Sequence, residues 1–339
     1  MNLRSLLRHR EAVTVSGVVI LVLLVMLVQP AFAAPSNLLR IANSTVILAL
    51  LAAGSAVVIM TRNIDVSVGS MLALTGIVGG LMLRDGVPAV LTVVVVLALG
   101  AALGVVNGLG VTYGHVPSIV MTLGTLGAYR GLSFLITEGH SIENVPAGYK
   151  AIGRADILGV PLLVWLVIVA LIGIGLFLGR TRLGRHVYAT GDNRDGAHLI
   201  GVRTNGVIIL AFAVSGVCAA AAALVFLAQV GSISNQAGQG IEMRAIAAAV
   251  IGGVALSGGV GTVFGAAAGA VFITAAVSSL SFLGIPGFWA DTVIGAILLV
   301  ALFADARVRK ALDHRRVLDR YRAVHEAAPD AAENRKVAQ

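Results

Sequence analysis

The strongest constraint on this chain is a succession of apolar stretches, near residues 12–33, 38–60, 66–83, 88–113, 117–137, 160–179, 207–229, 243–257, 262–283 and 288–304. A helix needs roughly 20 apolar residues to cross a hydrocarbon core about 30 Å thick, and most of these stretches reach or approach that length. Inside lipid the backbone must satisfy its own hydrogen bonds, which leaves helices or a closed barrel. Glycine is abundant, at 41 residues, while aromatics make up only 5%. That inventory suits helices packed on small residues better than a barrel with aromatic girdles. Charged residues are only 12% of the 339 positions, about half the share usual in soluble domains. The expected fold is an all-α polytopic membrane protein of about ten transmembrane helices.

The net charge of +8 is segregated. Arg4, Arg8 and Arg10 precede the first apolar stretch, and Arg180, Arg182, Arg185, Arg194 and Arg203 fill one polar loop. Arg307, Arg309, Lys310, Arg315, Arg316, Arg320 and Arg322 follow the last stretch. Six stretches precede the loop and ten precede the tail, so all three blocks fall on the same side of a bilayer. This is the positive-inside pattern of an inner-membrane protein with both termini cytoplasmic, and no nucleic-acid partner is needed to explain it. The segments left outside (29–37, 84–87, 138–159, 230–241 and 284–287) hold only Arg84, Lys150 and Arg154 as cations. A basic start followed by Ala31-Phe32-Ala33 has the outline of a cleavable signal, but the apolar run exceeds the roughly 7–15 residues of a signal core. An uncleaved first span is expected. Residues 1–304 are read as one transmembrane domain and 305–339 as a short, amphipathic or disordered basic tail on the cytoplasmic side.

No Gly-x-x-x-x-Gly-Lys-Ser/Thr loop is present to cradle nucleotide phosphates, so ATP hydrolysis is not expected of this chain. The seven histidines are scattered singly and the lone Cys218 sits in an apolar run, so neither metal-ligand spacing nor a disulfide arises. No nucleophile stands beside a base. No catalytic residue, metal or cofactor is expected.

The polar features that remain fall in or beside apolar stretches. In the 180–206 loop, Asp192 or Asn193 can cap a short helix and Gly201 can end it in the left-handed conformation. The element is either a solvated connector or a docking helix at the membrane surface. Asp65 lies where two apolar stretches meet, followed by Ser67, Gly69 and Ser70. It is either a helix cap held by the dipole or a gating residue. Arg130 is well inside its stretch, where an arginine must face protein or water. Glu242 and Arg244 open the eighth stretch after Asn235-Gln236-Ala237-Gly238-Gln239-Gly240. These polar residues are either an ordinary outer loop or groups at the mouth of a solute path. Gly261, Gly265 and Gly269 repeat at i+4, a spacing that lets helices pack closely.

Gly191, Asn193, Ala197 and Gly201 match the G-x-N-x-x-A-A-x-x-x-G-I loop of the ribose/arabinose/xylose-type ABC importer permeases, with Gly196 and Val202 departing mildly. Asn63-Ile64-Asp65-Val66-Ser67-Val68-Gly69-Ser70 resembles that family's I-D-L-S-V-G-S, and Thr122–Thr125 with Arg130-Gly131 resembles T-L-G-T…R-G. Gly238–Gly261 is similar to its glycine-rich carboxy-terminal signature. Within the family, TRNIDVSVGS, YATGDN, GVRT and NQAGQGIEMRAIAA look closest to the importers of autoinducer-2, a small polyhydroxylated signal. The resemblance covers nearly the whole chain. It implies a type II-like importer permease whose 180–206 loop is the coupling element for separate ABC ATPase subunits. It also implies a periplasmic solute-binding protein and a second permease subunit, either a homologous partner of the LsrD type or a second copy. A monosaccharide importer of the same family is the near alternative. A secondary transporter is the distant one, since such proteins carry intramembrane ion-coupling carboxylates.

Overall fold

A computed structural model of the chain describes residues 3–300 together with 303 and 307, with side chains from residue 12 onward. Apart from Arg307, the tail expected over 305–339 lies outside the described residues. The chain divides into two units, Met1–Ile294 and Gly295–Gln339. In the second, Leu299, Val300 and Phe303 are exposed. Everything that follows concerns the first.

Its helices are α1 (Leu3–Val28), α2 (Pro35–Met60), α3 (Val68–Arg84), α4 (Ala89–Thr112), α5 (Ser118–Thr137), α6 (Ala147–Arg154), α7 (Leu162–Arg180), α8 (Arg182–Asp192), α9 (Arg194–Leu199), α10 (Thr204–Val230), α11 (Ile241–Ile251) and α12 (Val263–Phe282). Punctuation follows the sequence. Pro88, Pro117, Pro146 and Pro161 each immediately precede a helix, where a fixed φ costs nothing. Gly231, at φ 78°, ends α10 in the left-handed conformation. The only strands among the described residues are an antiparallel hairpin, β1 (Asp156–Ile157) with β2 (Val160–Pro161), in the segment between α6 and α7.

Among the described residues, six helices are long and apolar enough to cross a membrane: α2, α4, α5, α7, α10 and α12. Shorter apolar helices run over Ala12–Val28 and α3. The stretch expected as a helix over 243–257 departs from this. Its helix, α11, has 11 residues and ends at Gly252, with Gly253 in the left-handed region at φ 90°. It is about 16 Å long, half of what a crossing needs.

Two helices form the centre. The apolar windows of α2 and α10 are 83% and 67% buried, against 22% for α4, α5 and α7 at the rim. Glycine makes the closest approach possible. A Cβ on Gly104 or Gly216 would overlap the Phe212 or Gly100 carbonyl oxygen across the α4–α10 contact. Close backbone approach substitutes here for the hydrophobic effect, which cannot drive helix pairing in lipid. Near the amino terminus, Phe32 is fully buried with Val25, Ile41 and Ala275, edge-on to Phe282 with ring centroids 5.2 Å apart. The Ala31-Phe32-Ala33 segment is therefore a packed corner of the fold.

Candidate functional site

The polar residues singled out in the sequence fall into two neighbouring clusters and one joint. The first cluster forms because α2 stops at Met60 and α3 does not begin until Val68. Arg62, at φ 63°, turns the chain, and Asp65 is carried into the interior with 1% exposure. Its Oδ1 accepts hydrogen bonds from the Ser67 backbone N–H at 3.0 Å and from Ser67 Oγ at 2.6 Å. Its Oδ2 accepts from Ser215 Oγ of α10 at 2.9 Å. Asn107 of α4 donates to Ser67 Oγ at 2.9 Å and accepts from Thr125 of α5 at 2.7 Å. Asp65 is not the N-cap of α3, a position held by Ser67 without a side-chain cap; it fixes the turn that precedes the helix and ties four segments together, with protein on every side rather than an open path.

The second cluster is the stretch expected as an outer loop, 230–241. It folds back along α3. Ile233 exchanges backbone hydrogen bonds with Ile142 and lies against Gly76 and Gly80, while Gly238 lies against Gly69 in the first turn of α3. From Gly80 to Gly69 is about 16 Å along the helix axis. Arg130 holds this segment by donating from Nη1 to the carbonyl oxygens of Asn235 at 2.6 Å and Ala237 at 2.7 Å. Glu242, in the first turn of α11, accepts from the Gly240 N–H at 3.2 Å through Oε1. Asn235 is 5% exposed and its Nδ2 is buried without a partner, as is Glu242 Oε2. Gln236 and Gln239 point away from the protein and are exposed. Arg244 Nη2 meets Asp291 Oδ1 at 2.7 Å, and the Asp291 side chain is 83% exposed. A cavity of about 270 Å³ opens beside them, with Ser44, Phe226, Gly238, Arg244 and Thr274 in its wall.

The joint lies at the other end of α11. In the 180–206 loop Asn193 accepts from Gly196 N at 2.9 Å and so caps α9, and Gly201 follows at φ 87°, as the residue types led one to expect. A whole further helix, α8, precedes α9, capped by Thr181. Gly191 and Ala197 are buried. Any Cβ on Gly191 would run into the Met60 carbonyl oxygen at the end of α2 and come within 2.6 Å of Gly259 N. Gly259 N itself donates to Met60 O at 3.0 Å, and Asp192 packs on Gly259. Arg62 Nε donates to the Ser257 carbonyl. The end of α8 is thus wedged between the end of α2 and the turn that joins α11 to α12.

Of the i+4 glycines, Gly265 and Gly269 pack α12 on α11, where a Cβ on either would overlap the Gly252 or Ala248 carbonyl oxygen. Gly261 is not on that face. It precedes the helix at φ 148°, beside Val254.

Asn107, Ser215 and Asp291 were not singled out from the sequence, and Thr125 entered only as part of a motif. Asn107 and Ser215 had a usable signal, since each is a hydrogen-bonding side chain within an otherwise apolar stretch. Tyr149 of α6 donates to Leu224 O at 3.1 Å, and burial pushes its phenol up to about 12.

The family described as branched-chain amino acid transport system / permease component matches residues 37–302. Autoinducer 2 import system permease protein LsrC of Photorhabdus luminescens is 41% identical over 311 residues, which are 92% of this chain and 94% of that protein. LsrC of Escherichia coli (strain K12 / DH10B) is 42% identical, over 92% of this chain and 91% of its own. LsrC of Yersinia enterocolitica is 44% identical over 271 residues, 80% of this chain and 75% of its own. No solved structure matches the chain significantly.

Proposed function

The chain belongs to the branched-chain amino acid transport permease family, and from that premise we propose that it forms the path by which autoinducer-2 enters the cell. As a permease subunit of an ABC importer it is a multi-pass inner-membrane protein and not itself an enzyme. The ATPase is a separate subunit.

The observation that carries the reading is the polar face at the broken eighth crossing. Asp291, Gln236 and Gln239 lie exposed among apolar helices, with the half-buried Arg244 paired to Asp291 beside them. Charged groups at such a depth face water or protein, never lipid. In a pair of permeases, whether two copies or this chain with an LsrD-type partner, this face lines the central path. Its amide and guanidinium groups suit a solute rich in hydroxyls, handed over by a periplasmic binding protein. In this reading ten crossings with both termini inside are kept, the eighth being an irregular, turn-rich segment over 231–240 followed by the helix α11.

Energy enters through α8 and α9. ATPase closure pushes the wedge at Gly191, and the push reaches the Gln236–Gln239 segment because α11 is a short rigid rod between the two. Switching of this kind needs only differential contacts in two packed states.

The deciding experiment is uptake into proteoliposomes holding the permease pair, its ATPase and its binding protein. ATP-dependent accumulation of autoinducer-2 in preference to ribose, rhamnose and xylose is expected. Accumulation that follows a proton gradient and ignores ATP overturns the reading. ATP-driven uptake of a pentose alone would replace the solute and leave the permease assignment standing.

A further inference from the structure

Where α7 ends and α12 begins, a cavity of about 430 Å³ is enclosed by α7, α8 and the turn before α12. Its two ends differ in chemistry. Leu178, Val263 and Phe264 make an apolar wall, and the exposed Ile172 and Leu176 continue it up the face of α7. Gly179 opens the space, since a Cβ there would meet nothing within 4 Å. At the polar end stand Arg185 and Tyr188. Tyr188 is oriented by donating to the Gly261 carbonyl oxygen at 3.0 Å. The first turn of α12 presents its amide end here, where the Thr262 side chain accepts from Gly265 N. Arg180 and Arg182, both exposed, lie in sequence between the lining residues Gly179 and Arg185. Among the described residues no carboxylate is paired with Arg180, Arg182 or Arg185. Asp192, on the same helix as Arg185, lies two turns further on.

We propose that this cavity binds one anionic phospholipid, its phosphodiester on Arg185 and the amide end of α12 and an acyl chain along the apolar wall of α7. An unpaired cation beside an apolar slot at the end of a spanning helix is chemistry complementary to a charged headgroup with a chain attached. Free phosphate satisfies the polar half alone and leaves the wall wet. Phosphatidylcholine carries its own cation to an already basic rim.

The test uses the full-length permease with its partner subunits in nanodiscs of phosphatidylcholine, titrated with phosphatidylglycerol and read by native mass spectrometry of retained lipid. One retained phosphatidylglycerol per cavity is expected. Arg185→Gln should weaken retention about fivefold, the contribution of one basic residue near an anionic headgroup. Gly179→Leu, which fills the slot and leaves the charge in place, should weaken it as well. Arg84→Gln, at the opposite end of the bundle and paired with Asp85, should change nothing. Equal retention of phosphatidylcholine, or unchanged retention in both cavity variants, overturns the proposal. Displacement by inorganic phosphate or glycerol phosphate overturns the acyl-chain half. Loss of lipid whenever the ATPase is bound reassigns the cavity to the protein interface and overturns it too.

Discussion

At the scale of single residues, the two positions with the least freedom are Asp65 and Gly191. Asp65 offers acceptors to three donors, the Ser67 N–H and the hydroxyls of Ser67 and Ser215. Asparagine keeps one carbonyl oxygen for Ser67 and turns its amide toward Ser215, whose hydroxyl can accept. Asp65→Asn is therefore expected to leave the unfolding temperature of the detergent-solubilised protein nearly unchanged. Asp65→Ala leaves buried donors without partners, at about 1–3 kcal/mol for each orphaned group, and should lower it clearly. If Asp65→Asn kept its stability but abolished uptake, the carboxylate charge would have a role beyond architecture. Gly191 behaves differently, because the obstacle is backbone and cannot swing aside. Gly191→Val forces α8 away from the Met60 carbonyl, a local overpacking of about 1–3 kcal/mol. Because the joint lies outside the central α2–α10 packing, insertion into the membrane should survive. Uptake and solute-stimulated ATPase activity should fall together, about tenfold, and wild-type rates in membranes with normal protein levels would count against the joint.

At the scale of elements, α11 decides how the molecule is built. Its apolar residues continue past Ile251 through Val254 and Ala255, so hydropathy alone draws one long span there. The structure breaks it at Gly252-Gly253, because Gly252 is pressed against the backbone of α12 at Gly265. That proximity is a tertiary fact with no local signature. The same holds for 231–240, whose polar residues read as an outer loop until Arg130, more than a hundred positions away, is seen gripping their carbonyl oxygens. What periodicity and punctuation do reveal are the long spans, the cap at Asn193 and the left-handed Gly201, since each depends only on neighbours in sequence. The amphipathic α8 was legible in principle from Arg182, Arg185 and Asp192 around buried Val187, yet the glycines and charges made it look like connector. Packing of α12 on α11 gives the prediction at this scale. Gly269→Leu must push against the Ala248 carbonyl oxygen and separate the two helices. Stability should drop by at least the 1–3 kcal/mol usual for overpacking, read as a lower unfolding temperature. Gly261→Leu tests something else, since it strains a left-handed φ and crowds Val254 without touching the helix face.

At the scale of the whole molecule, the question is whether the exposed face at the broken crossing meets water and whether it moves with the motor. The chain carries its own control, because Cys218, its only cysteine, is buried at 3% exposure and should be silent to polar thiol reagents. New cysteines can therefore be read one at a time in the natural background. Gln236→Cys and Gln239→Cys are expected to react with a charged, membrane-impermeant maleimide in the assembled importer. Ala237→Cys lies between them in sequence but points into the fold at 8% exposure, and should not react. Such alternation distinguishes a segment packed as the structure has it from an unpacked loop, where all three would label, and from a lipid face, where none would. Motion supplies the second half of the argument. If α11 carries the push from the Gly191 wedge to this segment, trapping the ATPase dimer closed should change the labelling rate of Gln236→Cys and Gln239→Cys. Gly191→Val, by opening the wedge, should abolish that change while leaving the resting rates in place. A trap-dependent change that persisted in Gly191→Val would mean that the two ends of the molecule communicate by a route other than α11.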